Sequence, residues 1–179
     1  MQSIGAILRC APDSPLAAGV RHMIRDAKSS DATAIAEIYN YYVQNSVATF
    51  EEDTIETIDF VDRICRVQEA GHSWLVAENA GQIIGYAYSS SWQERAAYKH
   101  TVEVTAYLSH KVNGRGWGTQ LYTELFSRLR ARSTHIVIAG ITLPNPSSVA
   151  LHEKFGMEQV AHFNQVGFKF GRWLDVGYW

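Results

Sequence analysis

The segment from Thr101 to Arg132, TVEVTAYLSHKVNGRGWGTQLYTELFSRLRAR, constrains what this chain can fold into more than any other. It opens as an alternating run and crosses a loop carrying Gly114, Gly116 and Gly118. It then continues with Leu121, Leu125 and Leu129 at a four-residue repeat, which predicts a strand that delivers a glycine loop to a helix start. A helix N-terminus has unpaired N–H groups and the positive end of the macrodipole, so it attracts anions such as phosphate. Glycines at that point let the backbone close on a pyrophosphate and accept φ > 0. They equally suit a plain strand-to-helix turn, and the glycines alone leave both readings open.

Two nucleotide-binding loops do not fit. A dinucleotide fingerprint needs a third glycine where Thr119 stands, and an acidic residue at the end of a second strand about 20 residues on. Neither is present. A phosphate loop of the Walker type needs Lys-Ser or Lys-Thr after the glycines, and Trp117-Gly118-Thr119 follow instead.

Around this segment the chain alternates short β-rich runs with helical ones. MIRDA at Met23 reads as a strand, and Ser29, Ser30 and Asp31 are N-cap candidates for an amphipathic helix over 30–44 carrying Ile35, Ile38, Tyr39 and Tyr42. A second helix is expected over 55–70. SWLVAE and QIIGYAYSS, separated by Asn79-Ala80-Gly81, read as a hairpin. HIVIAGIT reads as one strand buried on both faces. Ser147 to Phe155 reads as a short helix stopped by Gly156, and the remainder as two strands with a turn near Lys169 to Arg172.

Composition narrows the function classes. With 46% hydrophobic and 19% charged residues, 179 residues suffice for one buried core. A net charge of -2 and a pI near 6.4 give no basic footprint for nucleic acid and no polybasic patch for a membrane surface. Cys10 and Cys65 lack metal-ligand spacing and offer no disulfide framework, so no metal and a reducing cytoplasm are expected. No run approaches transmembrane length. Residues 1–22 lack a signal-peptide core and read as a loosely ordered extension, with a single domain over 23–179.

The order strand, two helices, three antiparallel strands, glycine loop into helix, buried strand, short helix and two strands resembles the GNAT N-acetyltransferases. VNGRGWG is similar to that family's acetyl-CoA pyrophosphate loop, carried here by Asn113, Gly114, Arg115, Gly116, Trp117 and Gly118. Asn113 departs from the Gln or Arg usual there, which leaves pyrophosphate binding to backbone amides. IYNYYVQNSVATFEE, RAAYKHTVEVTAYLS, NPSSVALHEKFG and VGFKFGRWLDVGYW further resemble the phosphinothricin and methionine sulfoximine N-acetyltransferase group within that family. The resemblance implies an α+β GNAT fold, with a mixed, mostly antiparallel central sheet flanked by helices. It also implies acetyl-CoA as cosubstrate, a small amino acid as acceptor, and a homodimer with sites near the subunit boundary.

Acetyl transfer to an amine needs a base for the ammonium, donors for an oxyanion and a proton for the leaving thiolate. In TVEVTAYLS, Thr101, Glu103, Thr105 and Tyr107 share one face and Val102, Val104 and Ala106 the other. A half-buried carboxylate there has its pKa raised toward a useful base, and Glu103 matches the group's catalytic glutamate. His152 in NPSSVALH stands where the group has a histidine near the sulfur, and acid and base roles are both open.

The resemblance places Tyr107, Leu108 and Ser109 on the acyl and pantetheine side, with backbone N–H near Tyr107 and Leu108 for the oxyanion. It gives Asn145 and Ser148 to the cosubstrate arm. For the acceptor it points to Arg95 and Lys169 as cations for the anionic groups, with Phe50, Glu51 and Tyr98 as walls. Arg172 and Trp173 either fix the last turn or pack a subunit contact. The alternatives are acetylation of another free amino acid or small amine, and an inert acyl-CoA-binding module.

Overall fold

Alternating and helical repeats sort the chain into eight strands and four helices among the described residues, which in this computed structural model are 22–112 and 115–179. The expected extension up to Arg21, and the loop pair Asn113 and Gly114, lie outside them. Strand β1 (His22–Asp26) pairs antiparallel with β2 (Trp74–Asn79), β2 with β3 (Gln82–Ser91), and β3 with β4 (Thr101–Leu108). Strand β5 (Ile136–Ile138) closes this five-stranded sheet in parallel with β4. A second, antiparallel sheet has the order β6 (Gly140–Leu143), β8 (Arg172–Tyr178), β7 (Ala161–Lys169).

Helices cover both faces of the larger sheet because its strands alternate apolar residues to each side. On one face, α3 (Trp117–Arg130) sets Leu121, Tyr122, Leu125 and Leu129 against Leu75, Ala87, Val102 and Val104. Leu121 and Leu125 are fully buried, each stabilising the fold by about 1.5–3 kcal/mol relative to exposure. On the other face, α1 (Ala32–Asn45) and α2 (Thr57–Glu69) set Ile35, Tyr39, Phe60 and Ile64 against Trp74, Val76 and Tyr86. The fourth helix, α4 (Pro146–Lys154), starts at Asn145, whose side-chain oxygen accepts from the Ser148 N–H at 3.2 Å.

The two predicted turns share one geometry. Ala80 and Gly81 have φ of 51° and 79°, and Phe170 and Gly171 have 50° and 72°. Two-residue hairpin loops with both φ positive match the twist of the flanking strands.

One expectation fails instructively. HIVIAGIT is two strands, β5 and β6, and each belongs to a different sheet. Ala139 between them exchanges two backbone hydrogen bonds with Trp179, at 2.8 and 3.0 Å, so the chain leaves β4 and joins β8. Ile136 is 45% exposed, contrary to a strand buried on both faces. Pairing between β4 and β5 therefore ends at Glu103 opposite Ile138, and Val104 to Leu108 keep β3 as a partner on one side alone. The divergence opens a cleft between β4 and β6.

Candidate active site

The cleft has a volume of about 220 Å³, and its walls include the free edge of β4 from Val104 to Leu108, Gly118 and Tyr122 of α3, and Ser148, Leu151 and His152 of α4. Gly118 allows this convergence, because a Cβ there would meet Leu151 at 3.3 Å and Leu108 at 3.7 Å. Asn145 and Thr142 also line it. An unpaired strand edge presents backbone N–H and C=O groups to whatever enters. That suits a ligand with amides of its own.

His152 has a defined proton inventory. Its Nδ1 lies 2.7 Å from the Ser148 carbonyl oxygen, which can only accept, so Nδ1 carries the hydrogen and Nε2 of the neutral ring accepts from the Tyr122 hydroxyl at 2.9 Å. The side chain is buried, which pushes the imidazole pKa below its usual value, with the Ser148 contact opposing.

A second cavity, of about 550 Å³, adjoins the cleft and is lined by Phe50, Glu103, Phe163, Val166, Val176 and Tyr178. Ala48, Gly140 and Thr142 border both spaces and form their junction. Glu103 is half-buried, and burial raises its carboxyl pKa above the ordinary carboxylate value, opposed by the smaller effect of the Gly140 N–H. Glu103 and His152 thus line neighbouring spaces rather than one.

The remaining expected residues fall into three groups. Tyr107, Leu108, Gly118, Asn145 and Ser148 line the cleft. The Tyr107 hydroxyl donates to the Ala48 carbonyl at 3.1 Å, and the Leu108 carbonyl accepts from Tyr42 at 2.7 Å. Ser109 donates its N–H to Ile84 just beyond. Arg115 is exposed, Gly116 takes φ 72° as the cap of α3, and Trp117 is buried beneath it.

Phe50 lines the second cavity and lies against Gly167, where a Cβ would stand 2.2 Å from its ring. Glu51 accepts from Arg63 at 3.0 Å through Oε1, while its buried Oε2 has no hydrogen-bond partner among the described residues. Arg95 and Tyr98 sit on the exposed connection before β4, beside Trp92, and border neither cavity. Lys169 is 2% exposed, and its Nζ donates to the carbonyls of Ser46 at 3.1 Å and Thr49 at 2.9 Å. Burial lowers its pKa.

Sequence reasoning missed Tyr122 and Thr142. Tyr122 adjoins the Leu121–Leu125 stripe and reads as core; the available signal was its hydroxyl, since a buried tyrosine needs a hydrogen-bond partner. No comparable signal marks Thr142.

Comparison with known proteins identifies the family. The family model described as an acetyltransferase (GNAT) domain matches residues 24–177. A phosphinothricin N-acetyltransferase of Streptomyces viridochromogenes is 38% identical over 156 residues, covering 87% of this chain and 85% of that protein. An L-methionine sulfoximine/L-methionine sulfone acetyltransferase of Salmonella typhimurium is 35% identical over 153 residues, covering 86% and 90%. The crystal structure of a GNAT superfamily phosphinothricin acetyltransferase from Sinorhizobium meliloti in complex with AcCoA superimposes with a TM-score of 0.85 at 39% identity, covering 88% of this chain and 85% of that one. Matched over nearly all of its described length, the chain belongs to the GNAT acetyltransferase family.

Proposed function

We propose that this protein is an acetyl-CoA-dependent N-acetyltransferase that acetylates the α-amine of a small amino acid such as phosphinothricin or methionine sulfoximine. The observation that carries the reading is Glu103: it is the carboxylate among the side chains lining the acceptor-side cavity, and that cavity meets the cleft at Gly140 and Thr142. An amine held there has a base on one side and the entrance to the cleft on the other. The cleft fits the cosubstrate, with an unpaired strand edge for an amide-bearing arm and the start of α3 for its phosphates.

When bound, acetyl-CoA supplies an activated thioester carbonyl. Glu103 takes a proton from the acceptor ammonium and frees the nitrogen lone pair for attack. Backbone N–H groups at the free edge of β4 offer stabilisation to the developing oxyanion. With Nδ1–H held by the Ser148 carbonyl, the basic nitrogen of His152 is Nε2, and any proton that it takes up arrives where the Tyr122 hydroxyl now donates.

The test is release of free thiol from acetyl-CoA across a panel of amino acids that includes phosphinothricin and methionine sulfoximine. Turnover is expected with small α-amino acids. Tight binding of CoA without turnover of any amine would instead support an inert acyl-CoA-binding module.

The proposal extends to a homodimer. Val160, Phe168, Phe170 and Trp173 of the β7–β8 region are each more than half exposed, an apolar surface suited to a second copy. Arg95 and Tyr98 border neither cavity of their own chain, which fits a role at the subunit boundary. Light scattering is expected to give twice 20.1 kDa, and a monomer mass overturns this part.

A further inference from the structure

Strand β7 does not run evenly along β8. Between the pairs Phe163–Val176 and Gly167–Leu174 it carries Asn164, Gln165 and Val166, where β8 carries Asp175 alone, so the strand bulges there. Gln165 takes φ 52°, in the left-handed region that a non-glycine residue keeps only when its surroundings hold it. What holds it is Asp175. One carboxylate oxygen accepts from the Gln165 N–H at 2.8 Å. The other lies 2.8 Å from His162 Nε2, which carries the hydrogen because a carboxylate only accepts. The residue opposite the bulge thus fastens its crest.

This bulge borders the cavity that holds Glu103. Val166 and Phe163 line that cavity, and at 60% and 50% exposed they offer open apolar surface rather than buried core. Phe50 seats its ring where the bulge ends, against Gly167. The way from the proposed base to the bulge stays within this one space. A Cβ built at Gly140 would stand 3.6 Å from Glu103 Oε1 and 3.3 Å from the Tyr178 ring, so carboxylate and ring abut the same glycine. Tyr178 in turn meets Phe163 edge-on, with ring centroids 5.8 Å apart. An acceptor with its amine at Glu103 can therefore lay its side chain along Tyr178 and Phe163 toward Val166.

We propose that the bulge is the end wall of the acceptor side-chain subsite, with Val166 setting the side-chain length that is accepted and Asp175 the positioning residue that holds this wall in place. Asp175 does not line the cavity and acts through the backbone of Gln165. The inference rests on the acetyltransferase reading. Because the wall is apolar, each side-chain methylene that reaches it gains about fourfold in kcat/KM, and one that overruns it collides with Val166.

The experiment measures kcat/KM for L-alanine, L-2-aminobutyrate, L-norvaline, L-norleucine and L-2-aminoheptanoate in the wild-type chain and in Val166→Ala. The wild type is expected to rise with each methylene to a maximum and to fall at least tenfold beyond it. Val166→Ala, which shortens an exposed side chain, is expected to move the maximum to a longer acceptor. An unchanged maximum, or a wild-type profile that is flat or still rising at the longest acceptor, overturns the wall and leaves the acetyltransferase reading standing. No turnover of any acceptor overturns both.

A second pair of variants tests the clamp. Asp175→Ala removes both accepting oxygens, whereas Asp175→Asn keeps one for the Gln165 N–H. Asp175→Ala is expected to raise KM for the preferred acceptor at least tenfold and to flatten the length profile to within threefold, with KM for acetyl-CoA within twofold of wild type. Asp175→Asn is expected to bring acceptor KM back to within threefold of wild type. A length profile as sharp in folded Asp175→Ala as in wild type overturns the positioning role.

Discussion

Lys169→Met separates two roles for one residue. Resemblance gives Lys169 to the acceptor's anionic groups, yet the ammonium sits at the end of β7 with its donors directed to the Ser46 and Thr49 carbonyls. Those carbonyls belong to the connection that brings Ala48, Thr49 and Phe50 to the acceptor-side cavity. Hydrogen bonds to a charged group contribute about 1.5–3 kcal/mol each. Methionine keeps most of the apolar stem and relieves the cost of burying a charge, so the net loss is about 2–4 kcal/mol. For a chain of this size that lowers Tm by roughly 5–15 °C. The loosened connection raises KM for the amino acid and leaves KM for acetyl-CoA unchanged, because the walls of the cleft come mainly from β4, α3 and α4. A thermal melt and two-substrate kinetics decide the matter. If the variant melts within about 2 °C of wild type while acceptor KM rises tenfold or more, Lys169 touches the substrate and the loop-anchoring argument is refuted.

The other predictions concern the two titratable groups. Glu103→Gln should lower kcat by about 10²- to 10⁴-fold, equivalent to about 2.7–5.4 kcal/mol, with KM for acetyl-CoA within twofold; unchanged turnover removes Glu103 from the base role. Because the folded-state pKa of Glu103 is raised, wild-type kcat/KM falls with decreasing pH from above the ordinary carboxylate range. The same raised pKa means that the ionised carboxylate opposes folding once pH passes its unfolded value, so Glu103→Gln should melt no lower than wild type at pH 7. For His152, ¹⁵N spectra should show the neutral Nδ1–H form at pH 7, and a protonated Nε2 would contradict the Ser148 contact. Its depressed pKa stabilises the fold above the unfolded value, and this contribution is lost as pH falls through the folded one. Tyr122→Phe removes the hydroxyl that supports the neutral ring and should raise that pKa, readable in the same titration.

Local features were legible because their causes are local. The helix expected over 30–44 is Ala32–Asn45, and Asn79-Ala80-Gly81 makes the hairpin because its two turn residues take positive φ. The face pattern of β4 was legible too: Val102 and Val104 are buried beneath α3, while Glu103 and Thr105 stand half-buried on the opposite face. The hydrogen bonds of Lys169 were not legible, because the Ser46 and Thr49 carbonyls that accept them are distant in sequence. The split at Ala139 was hidden for a related reason. A continuous apolar run is compatible with one strand or two, and what decides is the exchange of hydrogen bonds with Trp179.

That split also explains why the glycine loop, conspicuous as it is in the sequence, gives only half of the site. The loop brings α3 to the cleft, but the cleft exists because β4 loses its partner immediately after Glu103. The residue that ends the parallel pairing is therefore the one whose carboxylate faces the acceptor-side cavity, next to the free strand edge that lines the cleft. One backbone divergence thus sets the proposed base beside the free strand edge and the cleft, and it arises from pairing between segments that no local pattern connects.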